Sequence, residues 1–271
     1  MNKVILITGA SSGIGKTTAL RLLNEGYTVY GAARRVGEMQ VLEENGGHAL
    51  HMDVTDHESV TGGVEGVLDE QGRIDVLINN AGYAVYGAIE DTDIDEARHQ
   101  FEVNLFGLAD LTKEVLPVMR DQESGTIINI SSMGGKIYTP LGAWYHASKH
   151  ALEGWSDSLR LEVKQFGIDV VIIEPGIIET GFEDVLKQPL LDRSGDGPYR
   201  EMAEAVTRTT RDSYENNSSP ASVVAGVIAR AIRAKKPKTR YAMGKMAKMT
   251  IFLRKYLSDR LFDAAMLSQV K

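Results

Sequence analysis

Short apolar, β-branched runs alternate with amphipathic stretches along the first two thirds of the chain. Lys3 to Thr8, Tyr27 to Ala33, His48 to Met52, Asp75 to Asn79, Thr126 to Ile130 and Asp169 to Glu174 have strand length and composition. Lys16 to Asn24 and Ala143 to Phe166 carry helical periodicity. Alternation that persists to about Glu174 predicts a doubly wound parallel α/β sheet with right-handed crossovers. Beyond it the pattern loosens. Ile177 to Ser219 reads as a loop punctuated by Gly181, Pro189, Gly195, Gly197 and Pro198, followed by a charged helical segment from Tyr199 to Glu215. Lys245 to Val270 mixes apolar and basic residues at roughly helical intervals and reads as one amphipathic helix. With 271 residues, 43% of them hydrophobic, and no internal repeat or Pro/Ser-rich linker, the expectation is one domain around one large core.

The first strand stops at Gly9-Ala10-Ser11-Ser12-Gly13-Ile14-Gly15, and a helix follows. Strand, glycine turn and helix in this order let a backbone approach a pyrophosphate and present free N–H groups to its charge. The expected fold is therefore Rossmann-type, although the spacing Gly9, Gly13, Gly15 differs from G-x-G-x-x-G. The second strand ends at Arg34-Arg35, and no Asp or Glu occurs between Gly26 and Gly37. An acid at this point bonds a ribose 2′-hydroxyl, whereas arginine accommodates a 2′-phosphate, so NADP(H) is expected over NAD. Arg34 is the leading candidate and Arg35 the second, with Ser12 able to add a hydroxyl. Two adjacent arginines also occur in ordinary solvated loops.

Tyr145 and Lys149 stand four apart on the long helix and so share a face. A neighbouring ammonium favours the phenolate of a group that otherwise titrates near pH ~10, which outlines an acid–base catalyst. Taken alone, such a pair is more often a half-buried ring beside a snorkelling lysine. His146 and His150 are also four apart, but the glutamate of H-E-x-x-H is absent and each follows Tyr145 or Lys149 by one position. Both are expected to point away from the catalytic face, and no metal is expected.

Thr8 to Gly15, Asp53-Val54, Asn79-Asn80-Ala81-Gly82, Asn104, Ser131-Ser132, Tyr145 with Lys149, and Pro175-Gly176 followed by Thr180 occur in the order seen in the short-chain dehydrogenase/reductase family, which this chain resembles over most of its length. Many NADP-preferring members carry a basic residue before the second glycine, where this chain has Ser12. The resemblance implies that Tyr145 exchanges a proton with a carbonyl or hydroxyl oxygen, that Lys149 lowers its pKa and holds the nicotinamide ribose, and that Ser132 binds the substrate oxygen. Ser131 is the weaker alternative. It implies a helix asparagine, Asn104, holding a water in a proton relay. It further implies cofactor contacts from Gly9, Ser11, Ser12, Gly13, Ile14 and Gly15 at the phosphates, Asp53 and Val54 at the adenine, and Asn80, Ala81 and Gly82 at the adenine ribose side. Pro175, Gly176, Ile178 and Thr180 would serve the nicotinamide carboxamide. The pattern is similar to the branch holding hydroxysteroid and retinol dehydrogenases and bacterial-type ketoreductases.

A net charge of −7 argues against general nucleic-acid binding. Cysteine is absent, which rules out disulfides and thiolate chemistry. The first strand begins at Lys3 without a signal peptide before it, so the expected location is cytoplasmic. Tyr83, Val85, Tyr86, Ile177, Ile178, Phe182, Val185 and Leu186 suggest a largely hydrophobic substrate pocket, and any of them could equally be core. For the C-terminal segment the order of preference is packing or subunit contact, then pocket cover, then membrane association. Its charge-interrupted runs fall short of the ~20 apolar residues of a transmembrane span. The favoured function is an NADP(H)-dependent oxidoreductase acting on a carbonyl or secondary alcohol of a fairly apolar small molecule, forming a homodimer or homotetramer as is usual in the family. The alternative is an NADP(H)-sensing binding protein without turnover.

Overall fold

In a computed structural model, which describes residues 3–270 without the side chains of 182–186, β1 (Val4–Thr8) is buried along its whole length and leads through the glycine turn into α1 (Gly13–Asn24). β2 (Thr28–Ala33), a 3-10 turn (Val36–Met39), the short α2 (Gln40–Glu44), β3 (His48–His51) and α3 (His57–Gln71) follow. Then come β4 (Val76–Asn79), α4 (Ile94–Phe101), a π-helical turn (Glu102–Phe106), α5 (Gly107–Asp121), β5 (Gly125–Ile130), α6 (Ala143–Val163) and β6 (Ile168–Pro175). The remainder is β7 (Ile178–Glu179), α7 (Phe182–Ser194), α8 (Arg200–Asn217), β8 (Ser219–Pro220), α9 (Ala221–Arg233), β9 (Arg240–Met243), α10 (Ala247–Tyr256) and α11 (Asp259–Ser268).

Seven strands form a parallel sheet in the order β3-β2-β1-β4-β5-β6-β9. Its faces alternate along each strand, as buried parallel strands require. Ile5 and Ile7 pack with Leu22 of α1 and Ile228 of α9 on one side. Val4 and Leu6 pack with Val64, Leu111 and Leu159 of α3, α5 and α6 on the other. The chain leaves β1 in opposite directions to reach β2 and β4, and at such a switch point the carboxyl ends of the strands open a crevice. Asn79 pairs with Asn129 and Ile130 with Ile173, so the ends of β4, β5 and β6 deliver their turns to one edge.

Three expectations change. β9 adds a strand that the sequence pattern does not announce. It is four residues long, only Met243 is buried, and it pairs along one edge with β6. The stretch expected as a loop after Ile177 folds instead into α7, whose Leu190 and Ser194 are wholly buried. Ser194 Oγ accepts from the Ala88 N–H at 3.0 Å, and Arg193 makes a bidentate pair with Glu96 at 2.8 and 2.7 Å. These contacts outweigh the helix-breaking tendency of Pro189. The C-terminal segment is two helices, because Leu257 and Ser258 are extended and Ser258 stands at the N-cap of α11. Arg254 pairs with Asp259 across the break at 3.0 Å.

Candidate functional site

The glycine turn is built by close approach. Gly9 and Gly13 have φ of 67° and 52°, a region that strains any residue with a Cβ. At Gly15 a Cβ would lie 2.2 Å from the Gly9 carbonyl oxygen, which fixes how tightly α1 starts against the strand. The turn after β4 is tied to it. Thr8 Oγ1 accepts from the Asn80 and Ala81 N–H groups at 3.1 and 3.0 Å, while Asn80 Nδ2 donates to the Thr8 carbonyl at 2.9 Å. Thr180 packs against Gly13 from above, with its Oγ1 donating to the Ile178 carbonyl.

A cavity of about 830 Å³ opens along these carboxyl ends. Of the site residues singled out from sequence, all but Gly15 and Asn104 line it. Those two support it from behind. Arg34 and Arg35 follow β2 and Asp53 follows β3, while Ser132 follows β5 and Tyr145 and Lys149 belong to α6. Arg35 is paired at 3.0 Å with Glu38, the acid that directly follows Gly37. Arg34 lies close enough to Asp53 to act on its charge. Burial works to raise the Asp53 carboxyl, but hydrogen bonds from Thr55 N (3.0 Å) and Oγ1 (2.8 Å), together with Arg34, hold it below the usual carboxylate range. Val54 turns its carbonyl toward Gly107, where a Cβ would stand 2.3 Å away. These residues fit a dinucleotide lying across the strand ends: glycine backbone where phosphates approach, arginine where a further phosphate would lie, and a carboxylate for an amino group.

Ser132 lies just beyond β5, and Tyr145 and Lys149 come from the first turns of α6. Ser132 hydrogen-bonds the Tyr145 phenol and also accepts from the Gly134 N–H at 3.0 Å. Burial pushes the phenol up, with the Ser132 hydrogen bond opposing, so the lowering expected from Lys149 is not what this arrangement gives. Lys149 instead donates to the Ile130 carbonyl at 3.0 Å. Burial brings the Lys149 ammonium down to about 8, opposed by Glu153 one turn further on. Glu153 is itself clamped by Lys136 (2.8 Å) and Arg240 (3.1 Å), so β9 supplies a cation to this network that sequence reasoning missed. Burial and the Glu153 charge raise the nearby Glu174 to about 7.

Asn104 is fully buried in the π-helical turn. Its Oδ1 accepts from Tyr83 N (3.0 Å), and its Nδ2 donates to Tyr83 O (2.9 Å) and Ser148 Oγ (3.1 Å). It thus fixes the chain just after Gly82, whose own Cβ position would be 3.0 Å from Asn104 Oδ1 and 3.5 Å from Lys149 Nζ.

His146 does not point into solvent. It is buried at 5% exposure, donates through Nδ1 to the Gly134 carbonyl (3.0 Å), and accepts at Nε2 from the Thr139 N–H (3.1 Å). Its ring meets Tyr145 and Tyr86 edge-on. His150 is exposed, its Nδ1 at 2.8 Å from the His146 carbonyl. Among the described residues, one group of potential metal ligands comes together that the sequence order hides: His57, Asp110 and Glu114 on α3 and α5, with His57 Nδ1 at 2.8 Å from Asp110.

Further walls of the cavity come from Tyr83 and Tyr86, from Thr139 and Pro140, from Val206, Thr210 and Tyr214 of α8, and from Leu253, Leu257, Phe262, Met266 and Val270 of the C-terminal helices. Tyr86 lies 5.9 Å from Tyr145, ring centre to ring centre. Ile177 and Ile178 line the cavity, while Val85 is core. Phe182, Val185 and Leu186 fall among the side chains outside the description. The α8 and His99 contributions lack a sequence signature, since nothing about His99 or Thr210 in isolation marks them as wall residues. The C-terminal helices cover the pocket, the second of the roles anticipated for them.

Fold and cavity together define a Rossmann-type α/β protein with its ligand crevice at the strand ends. Residues 3–190 match the family model described as short chain dehydrogenase. The chain belongs to the short-chain dehydrogenase family. It is 37% identical over 271 residues to 3-ketodihydrosphingosine reductase of Bacteroides thetaiotaomicron, covering 97% of this chain and 96% of that protein. It is 35% identical over 282 residues to the NADPH-dependent 3-dehydrocapnine reductase of Ornithobacterium rhinotracheale, covering 98% and 96%. Among solved structures, a short-chain dehydrogenase from Streptomyces avermitilis superposes with a TM-score of 0.83 at 34% identity, covering 100% of this chain and 98% of that one. The family's chemistry is oxidoreduction at CH–OH and C=O groups. No helix among the described residues is long and apolar enough to cross a membrane.

Proposed function

We propose that this protein reduces the ketone of an apolar, chain-bearing molecule with NADPH. The observation that carries the reading is the continuity of one cavity from Ser132, Tyr145 and Lys149 into an apolar arm walled by Val206, Leu253, Leu257, Phe262 and Met266. Two relatives alike over almost their full length are named as reductases of keto or dehydro compounds, which supports the direction.

Bound NADPH supplies the hydride that reaches the carbonyl carbon. Ser132 holds the carbonyl oxygen, and Tyr145, hydrogen-bonded to Ser132, gives it the proton. Lys149, buried and brought down to about 8, stabilises the phenolate that remains once a bound substrate and cofactor bring the groups together. Asn104 and the Gly82 turn keep Lys149 and Tyr83 in place.

The test is NADPH oxidation with ketones of increasing alkyl length. Each buried methylene is worth ~0.8 kcal/mol, so kcat/KM should climb roughly fourfold per methylene until the arm is filled. A flat response would remove the arm from the argument, and tight NADPH binding with no turnover would turn the reading toward a sensor.

Choice of cofactor rests on Arg34, because Arg35 is engaged by Glu38. Arg34→Ala should weaken NADPH by about 2 kcal/mol, the scale of a hydrogen bond to a charged group, and leave NADH affinity unchanged. Titration calorimetry with both cofactors reads this directly; equal losses would dismiss the 2′-phosphate contact.

A further inference from the structure

We infer that the outer face of α10 and α11 docks on an anionic lipid surface, so that the substrate arm opens toward the bilayer. Met249, Phe252, Leu253 and Tyr256 follow i, i+3, i+4, i+7 along α10, and this apolar stripe faces outward. Ala247 and Thr250 take the buried side. Exposures reach 60% at Phe252 and 65% at Tyr256, with Leu261 at 60% and Leu267 at 44% on α11. Elsewhere among the described residues, exposed large apolar side chains are scattered singly over other elements. Single scattered residues need no partner, whereas a contiguous stripe does.

Charge selects the partner. Residues 245–260 hold five basic side chains, Lys245, Lys248, Arg254, Lys255 and Arg260, against the single acid Asp259, in a chain of net charge −7. The acids of α11 are exposed but each has a partner: Asp259 pairs with Arg254 at 3.0 Å, and Asp263 accepts from Tyr138 Oη at 2.8 Å. Lys248, Lys255 and Arg260 stay exposed around the apolar stripe. A second copy meeting this face about a two-fold axis would set those cations against their own duplicates, which disfavours it. An anionic headgroup layer above acyl chains satisfies both the cations and the aromatic residues.

The stripe is also continuous with the cavity. Met249 and Leu253 are outwardly exposed and line the arm that reaches Tyr145. A molecule partitioned in the bilayer could therefore enter the arm without crossing water.

Flotation of the full chain with vesicles tests this without turnover, so its failure and that of the reductase reading are separable. The protein should float with vesicles of equal parts phosphatidylcholine and phosphatidylglycerol, and float poorly with phosphatidylcholine alone or at high salt. Phe252→Ser combined with Tyr256→Ser, and separately Lys248→Glu combined with Lys255→Glu, should each lower partitioning roughly tenfold, with circular dichroism and molar mass in solution unchanged. None of these four lines the cavity. Absence of flotation, or flotation indifferent to both variants, overturns the proposal. So does a fall in molar mass of the variants without any vesicle binding by the parent, which would assign the face to a second copy.

Discussion

Tyr145→Phe is expected to reduce turnover by about a thousandfold or more, within the range set by loss of a positioned general acid, while NADPH affinity is retained. The phenol hydroxyl is the group removed; the ring keeps its packing against Tyr86 at 5.9 Å and His146 at 5.7 Å, so the cavity wall survives. Ser132 would lose a hydrogen-bond partner but keep the Gly134 N–H. Single-turnover rates with NADPH, beside equilibrium binding, separate the two quantities. Turnover within tenfold of the parent would exclude Tyr145 as the proton donor and move attention to Ser132. A fall in NADPH affinity of the same size as the fall in rate would instead place Tyr145 among the binding groups.

The difference between what was legible in the chain and what was not follows the distance over which each signal acts. Strands β1 to β6 and the glycine turn announce themselves because each is a continuous local pattern: Val4 to Thr8 is wholly buried in the sheet, as its unbroken apolar run requires. The cavity gathers Arg34, Asp53, Asn80, Ser132 and Thr180 from beyond separate strands and Tyr145 and Lys149 from α6, all of them residues that their order along the chain had singled out. Properties set by packing were not legible. The Lys149 environment depends on Glu153, Lys136 and Arg240, the last of which comes from an edge strand too short and too polar to stand out. α7 was hidden by its own Pro189, since the partners that stabilise it, Ala88 for the buried Ser194 and Glu96 for Arg193, lie far off in sequence. The π-helical turn around Asn104, too, is a departure from helical regularity that composition does not mark.

His146 carries the second large expectation, and it concerns stability under acid. Desolvation by burial, opposed by the hydrogen bond to Gly134, brings its imidazole from 6.5 down to about 4. The Thr139 N–H donates to Nε2 and would oppose a proton there, while Thr139 Oγ1, at 2.9 Å from the same nitrogen, can take either role. Between pH 4 and 6.5 the unfolded chain binds this proton and the folded chain does not, so stability rises with pH across that window and falls as pH drops through it. At ~1.4 kcal/mol per pKa unit, the loss on acidification amounts to about 3 kcal/mol. His146→Gln should therefore unfold with a shallower dependence on pH from 6.5 to 4 than the parent, as denaturant midpoints at each pH would reveal; parallel curves would mean that the ring titrates normally. The consequence reaches the chemistry, because Gly134 and Thr139 bracket the segment that follows Ser132. Protonating His146 removes the acceptor that the Thr139 N–H uses while keeping the Nδ1–H bond to the Gly134 carbonyl, so the Thr139 end of that segment loses its tie to α6 and kcat should fall in acid before the global unfolding transition does.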